Sequence, residues 1–281
     1  MNLGIIKAAA TTDAAAMEVI AVDCHAHVML VDRPLSPLRH SSPKREVPVD
    51  EYVAVLDAHG ISHGLLTAPS FYGTDNSLLL EALAAFPHRL RGTAIVDPAI
   101  SAQELRSLQE QGVCGVRLNW LRLESLPDAG SVTYQRHFAL LRELGLHVEV
   151  YLEGHLLRSV LTKIRASGVR VVLDHFGSPD PQEGVNGAAF GEVLKAVAAG
   201  DTWVKLSAPY RLGGADPQPY VDALLRAGGP GQLVWATDWP FVGHENRITY
   251  QQCVEWLEQW VPCEATRRTI LARTPRALFG F

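Results

Sequence analysis

The sequence has no apolar run of the ~18–20 residues that a bilayer span requires, which excludes a helical membrane anchor of ordinary length. Basic clusters are also missing. The formal net charge is −5, and nucleic-acid binding usually needs a clustered basic face. Any anionic ligand must therefore be held by a few local arginines and not by the overall field. Cysteine is scarce: Cys24, Cys114, Cys253 and Cys263 show no Cys-x-x-Cys spacing. Residues 1–17 are small and Ala-rich, with neither a basic start nor a continuous leucine-rich stretch. They read as an N-terminal tail and not as a signal peptide. Lack of a signal and lack of paired cysteines together predict reduced thiols and a cytoplasmic protein. No low-complexity linker divides the chain.

What remains is ordinary globular composition, 281 residues with 47% hydrophobic and 20% charged side chains, enough for one large domain. Short apolar runs recur over 19–28, 61–68, 90–96, 113–119, 146–152, 169–175, 202–207 and 232–238. Between them lie helix-period segments at 49–58, 76–85, 102–111, 134–144, 156–166, 190–199, 219–227 and 246–260. Gly60, Gly112, Gly145, Gly168 and Gly200 each stand just before a strand run, where a helix C-cap glycine belongs. A spacing of about 30 residues is one βα unit. Eight such units predict a single-domain α/β fold, a (β/α)8 TIM barrel over residues 18–281, ahead of an open α/β sheet. The polar stretch 32–48 reads as a loop over the barrel mouth. The tail 274–281 follows one more helix and is expected to pack against the barrel. Trp256 and Trp260 on the last barrel helix read as surface-directed, for packing or for a subunit contact; the oligomeric state is left open.

In such a barrel, chemistry sits at the C-terminal ends of the strands, so polar residues there are the candidates. Strand one carries His25 and His27 two residues apart, on one strand face and about 7 Å apart along it. Such a pair can ligate a metal or polarise a carbonyl. Strand two runs into Ser70, a hydrogen-bond donor, and Asp75, which suits a helix cap. Strand four ends in Arg117, an arginine at the end of a buried strand that needs an anion or an internal ion pair; Arg122 follows in the loop. Tyr151 ends strand five, with His155 at the start of the next helix. Strand six ends in Asp174-His175. Parity with Val171 and Leu173 would aim His175 inward and Asp174 at the helices. Strand seven leads to Arg211, a second anion-holding candidate, and strand eight ends in Asp238, beside strand one in a closed barrel. His25, His27, His175 and Asp238 thus converge at one mouth. His40, His59, His63, His88, His137 and His244 have no such company and read as surface or capping residues.

With these residues in place, the sequence resembles the amidohydrolase superfamily, through Asp-Cys-His-Ala-His (23–27), Leu-Asp-His-Phe-Gly (173–177) and Ala-Thr-Asp-Trp-Pro (236–240). It is more narrowly similar to the 2-pyrone-4,6-dicarboxylate lactonase group, through residues 69–76, 90–98, 115–119 and Tyr210-Arg211. That resemblance implies hydrolysis of a small anionic lactone in aromatic or sugar-acid catabolism. Asp238 would be the general base, and His25, His27 and His175 would polarise the carbonyl. Ser70, Arg117, Arg122, Tyr151 and Arg211 would hold substrate carboxylates. Metal-dependent superfamily members place a histidine where Tyr151 stands, so a metal-free reaction is favoured. The alternative is one zinc on His25, His27, His175 and Asp238, a donor set that suits zinc, in a hydrolase or non-oxidative decarboxylase. A decayed barrel that merely binds small anions is the non-enzymatic alternative.

Overall fold

The computed structural model describes residues 17–281; all of the expected tail except Met17 lies outside them. Eight parallel strands run in sequential order: β1 (Val22–Ala26), β2 (His63–Thr67), β3 (Leu90–Ala94), β4 (Val113–Asn119), β5 (His147–Tyr151), β6 (Val171–Leu173), β7 (Thr202–Leu206) and β8 (Leu233–Trp235). The ring closes where Asp238 N donates to His25 O (2.9 Å) and His27 N donates to Trp239 O (2.8 Å). This is the (β/α)8 TIM barrel. Eight helices cover it: α1 (Val49–Ala58), α2 (Ser77–Ala85), α3 (Ala102–Glu110), α4 (Val132–Glu143), α5 (Gly154–Ala166), α6 (Ala188–Ala198), α7 (Gln218–Gly228) and α8 (Tyr250–Trp260). None of the described helices is long and apolar enough to cross a membrane.

Local chemistry explains the boundaries. On α5, Leu157, Val160, Leu161 and Ile164 recur at helical spacing and are buried against the barrel. Reciprocal capping boxes start α3 (Ser101 with Glu104) and α8 (Thr249 with Gln252). The second box sets the start of α8 at Tyr250, four residues after the expected one. Asp75 accepts from Ser77 N at the start of α2 (2.9 Å), as a cap. All five predicted C-cap glycines have positive φ, Gly112 at +96°.

Beyond α8 the chain continues through α9 (Glu264–Arg268) and a π-turn into α10 (Thr274–Phe279). Leu278 and Phe279 pack with Val22, Cys24, Leu65, Val172, Val234 and Ala236, closing the barrel floor. Trp260 is buried against Phe176, with ring centroids 5.5 Å apart, and stacks on Trp256. Trp260 thus packs into the barrel wall, which corrects its surface-directed reading, while Trp256 is only partly buried. His63 and His137 are also buried and not superficial.

Parity is where the strand-six expectation fails. Val171 and Leu173 join the cluster between strands and helices, whereas Val172 belongs to the floor inside the barrel. Asp174 shares Val172's parity and therefore points inward. His175 reaches the mouth by another route. The strand stops at Leu173, and His175 and Phe176 take φ of +48° and +59°, turning the chain over the barrel end.

Candidate active site

At the C-terminal end of the strands lies a cavity of about 590 Å³. Its lining includes His27, Ser70, Arg117, Arg122, Tyr151, His175, Arg211 and Asp238, eight of the nine expected site residues. The ninth, His25, is fully buried just beneath. His40 and His244 line the same cavity, against the expectation that they are surface or capping residues. His40 arrives on the polar loop after β1 and contacts Asn119 Oδ1 (3.3 Å).

Asp238 is at the centre. Its backbone φ is +66°, a conformation costly for a residue with a Cβ and often found at functional turns. Oδ2 is anchored, accepting from Tyr210 Oη (2.9 Å) and from Arg211 Nε (2.8 Å), with Arg211 Nη2 at 2.7 Å. Oδ1 faces three imidazole nitrogens: Nε2 of His25 and of His27 at 3.6 Å each, and Nε2 of His175 at 3.9 Å. Burial alone would raise the Asp238 carboxyl, but the Arg211 charge and the nearby imidazoles outweigh it and hold it well below the ordinary value. Burial lowers His25 well below its usual pKa, helped by Lys205, and lowers His175 to about 4. Both are neutral near pH 7.

The imidazoles are held from behind. His27 Nδ1 donates to Thr67 O (2.7 Å), which can only accept, so a ring carrying one proton turns a bare Nε2 to the site. His175 Nδ1 contacts Ser207 Oγ (2.9 Å). His25 Nε2 and His27 Nε2 stand 3.2 Å apart: the side chains lean together from neighbouring backbone positions.

Beneath them lies a buried ionic layer that the sequence reading did not assign. Lys205 and Glu149 are fully buried, with Lys205 Nζ 2.6 Å from Glu149 Oε2 and 3.1 Å from Asp174 Oδ1. Arg117 pairs with Asp174 Oδ2 (2.9 Å) and Glu149 Oε1 (3.3 Å) and donates to Ala68 O. Burial raises Glu149, with the Asp174 charge adding to it. Burial likewise opposes ionisation of Asp174 and Lys205, but opposite charges win: Asp174 is held well below its ordinary value and Lys205 above its own. The signal for this layer was a charged residue inside an apolar strand run, the criterion that singled out Arg117; it applies equally to Glu149 and Lys205.

The arginines divide accordingly. Arg117 is only 3% exposed and its charge is matched internally, and Arg211 is matched by Asp238. Arg122, exposed at the rim with φ +60°, pairs with no carboxylate among the described residues. Ser70 Oγ is buried without a partner, a donor still available to a ligand. Tyr151 is buried between Arg117, 5.5 Å above its ring, and His175, whose ring meets it edge-on. His155 is exposed in the first turn of α5, beside a neighbouring pocket.

Spacing alone would admit a metal among His25, His27 and Asp238. A triangle with edges of 3.2, 3.6 and 3.6 Å has a centre about 2.0 Å from each corner, a zinc–ligand distance. Two fixed charges stand against it. Lys205 Nζ lies 3.0 Å from His25 Nδ1 and Arg211 holds Asp238 Oδ2, so positive charge already sits behind two of the three corner groups, although the corner atoms themselves face one another.

The profile of the amidohydrolase family matches residues 22–281. The chain is 26% identical to the 4-sulfomuconolactone hydrolase of Hydrogenophaga intermedia, over 92% of this chain and 88% of that protein. It is 32% identical to a solved structure of a probable 2-pyrone-4,6-dicarboxylic acid hydrolase from Acinetobacter baumannii with citric acid bound. That likeness has a TM-score of 0.86 and covers 93% of this chain and all of that one. A zinc-bound amidohydrolase from Burkholderia multivorans is 19% identical, with a TM-score of 0.76 over 93% of this chain and 99% of that one; at that identity it shares the fold alone. With the barrel, the strand-end residues and the family profile in agreement over residues 22–281, the protein belongs to the amidohydrolase family.

Proposed function

We infer that this protein is a hydrolase acting on a cyclic ester, and that its substrate is a lactone bearing carboxylates, of the 2-pyrone-4,6-dicarboxylate kind. The observation that carries this reading is the pairing of Asp238 Oδ1, turned toward three imidazoles, with a cavity rimmed by Arg122, Lys44 and two histidines. The lactone hydrolases among the relatives and the citrate bound to one of them support it.

In this reading Arg122, Arg211, Tyr151 and Ser70 receive the substrate carboxylates, and Arg117, its charge matched by Asp174 and Glu149, fixes the wall behind Tyr151. A water hydrogen-bonded to Asp238 Oδ1 attacks the lactone carbonyl carbon and passes a proton to the carboxylate. His175 donates to the carbonyl oxygen as it becomes an oxyanion, and His25 turns its single Nε2–H from His27 to the same oxygen. Before substrate binds, His27 Nε2 accepts that proton and keeps the His25 ring in place. The ring C–O bond then breaks, and the leaving oxygen recovers the proton. A carboxyl held far below its ordinary value is a weak base. A substrate carboxylate that engages Arg211 loosens the arginine's hold on Oδ2 and restores basicity when the ligand is present.

The reaction is metal-free in this account. The zinc-dependent alternative is favoured by one observation, the His25–His27–Asp238 spacing. A screen of pyrone, muconolactone and aldonolactone substrates, with and without chelator and with metal analysis of the purified protein, decides between them. Chelator-resistant opening of a carboxylated lactone is expected. Stoichiometric zinc with chelator-sensitive turnover overturns the metal-free reading. Ligand-induced stabilisation by these lactones without ring opening overturns the enzymatic one.

A further inference from the structure

The contacts around His25 form a closed set that the mechanism has used only in part. Lys205, buried on β7, contacts His25 Nδ1 at 3.0 Å. A lysine ammonium offers three N–H donors and no acceptor, so a hydrogen bond along this contact uses a lone pair on Nδ1. The neutral ring then carries its proton on Nε2, which faces His27 Nε2 at 3.2 Å. That atom is bare, because His27 spends its own proton on Thr67 O (2.7 Å). One proton serves each link from Lys205 through His25 and His27 to the Thr67 carbonyl.

The opposite assignment also has a partner. Asp174 Oδ1 lies 3.2 Å from His25 Nδ1 and could accept a proton there. Two bare Nε2 atoms would then face each other beside Asp238 Oδ1, 3.6 Å from each. Lone pairs so placed repel each other unless a cation or a donating water comes between them. The same side chains therefore admit a proton-bridged and a metal-bridged state, and the second-neighbour group on Nδ1 chooses between them.

We propose that Lys205 is a positioning residue that fixes His25 as the Nε2–H tautomer, aimed at the reacting carbonyl, and thereby closes the His25–His27–Asp238 triangle to zinc. The proposal rests on the reading of these residues as the reaction centre, but its tests need no substrate. A protein that opens no lactone would defeat the substrate reading without touching this one.

Two measurements test it. The first uses the unaltered protein: imidazole nitrogen NMR at neutral pH, with the His25 signals identified by their loss in His25→Gln. Protonation at Nε2 is expected, and a His25 protonated at Nδ1 overturns the proposal whatever any variant does. The second compares zinc affinity, by competition with a chromophoric chelator, among wild type, Glu149→Gln and the charge-balanced pair Lys205→Met with Glu149→Gln. In the pair, Asp174 is left to accept from Nδ1. A folded double variant is expected to shift its His25 proton to Nδ1 and to bind zinc about 10- to 100-fold more tightly than wild type, while Glu149→Gln alone does neither. Equal zinc affinity in wild type and in the folded double variant overturns the claim.

Discussion

Two fully buried histidines sit inside the same barrel and behave in opposite ways. His25, at the mouth, has a charged or polar partner on both ring nitrogens. His147, nearer the floor, has none on either, and rests against Phe279 with ring centroids 5.1 Å apart. It fits because its partner across β4 and β5 is Gly115, where any Cβ would collide with the imidazole. Both rings are kept neutral by burial, His147 with a pKa near 3. The difference lies in what surrounds them. At the floor, Leu278, Phe279 and strand side chains leave neither imidazole nitrogen a hydrogen-bond partner, so a histidine there serves as a filler. At the mouth, Lys205, Glu149, Asp174 and Arg117 cancel one another in a layer that orients the rings above. One end contributes stability and the other prepares chemistry, as the architecture of such barrels leads one to expect.

Substitutions at the two ends should separate these roles. The largest effect belongs to Asp238→Asn, which keeps shape and removes the base. Turnover of a carboxylated lactone should drop by about 10²–10⁴-fold in a variant that still folds with a lowered melting temperature, because the Arg211 pair is broken, and near-normal kcat would remove Asp238 from its assigned role. Phe279→Ala is the counterpart at the floor. Loss of a buried aromatic costs about 3–5 kcal/mol, read by denaturant unfolding, with KM unchanged below the melting transition. A raised KM at equal folding would show that floor and mouth are coupled.

Smaller is the effect of Arg122→Ala. A charged hydrogen bond contributes about 1.5–3 kcal/mol, so KM should rise roughly 10- to 100-fold with kcat nearly kept; an unchanged KM would leave that guanidinium to solvent. The smallest concerns acid stability. His147 ionises in the unfolded chain below about pH 6.5, whereas in the native state burial delays this to about 3. Its contribution is therefore complete above pH 6.5 and shrinks as pH falls, by about 1.4 kcal/mol per pH unit until the native value is reached. Calorimetry from pH 7.5 to 5 should show a shallower fall in melting temperature for His147→Leu than for wild type. Equal slopes would contradict the assignment.

How far this division could be read beforehand depends on the signal each part leaves. The barrel was legible because eight strand runs and their C-cap glycines repeat at one spacing. His25, His27 and Asp238 were legible because strand-end position alone predicts the mouth. Asp174 was misplaced because parity counts from a chosen residue, and the choice of Val171 and Leu173 as inward was inverted; the left-handed turn at His175 then delivered the expected histidine by a route parity does not describe. Arg117 and Arg211 were chosen as anion holders because their carboxylate partners lie far away in sequence. Their pairing with Asp174 and Asp238 needs the closed barrel to be seen. His40 and His244 belong to loops, where no periodicity marks which side chain folds back over the cavity.

Delivery of an anionic lactone to Asp238 by a cationic mouth is tested most directly by the wild-type ratio of kcat/KM for 2-pyrone-4,6-dicarboxylate against unsubstituted 2-pyrone, in the presence of chelator. A preference of about 100-fold or more for the dicarboxylate is predicted, equivalent to about 2.7 kcal/mol of carboxylate recognition. Equal values for the two lactones, or no opening of either, would contradict it.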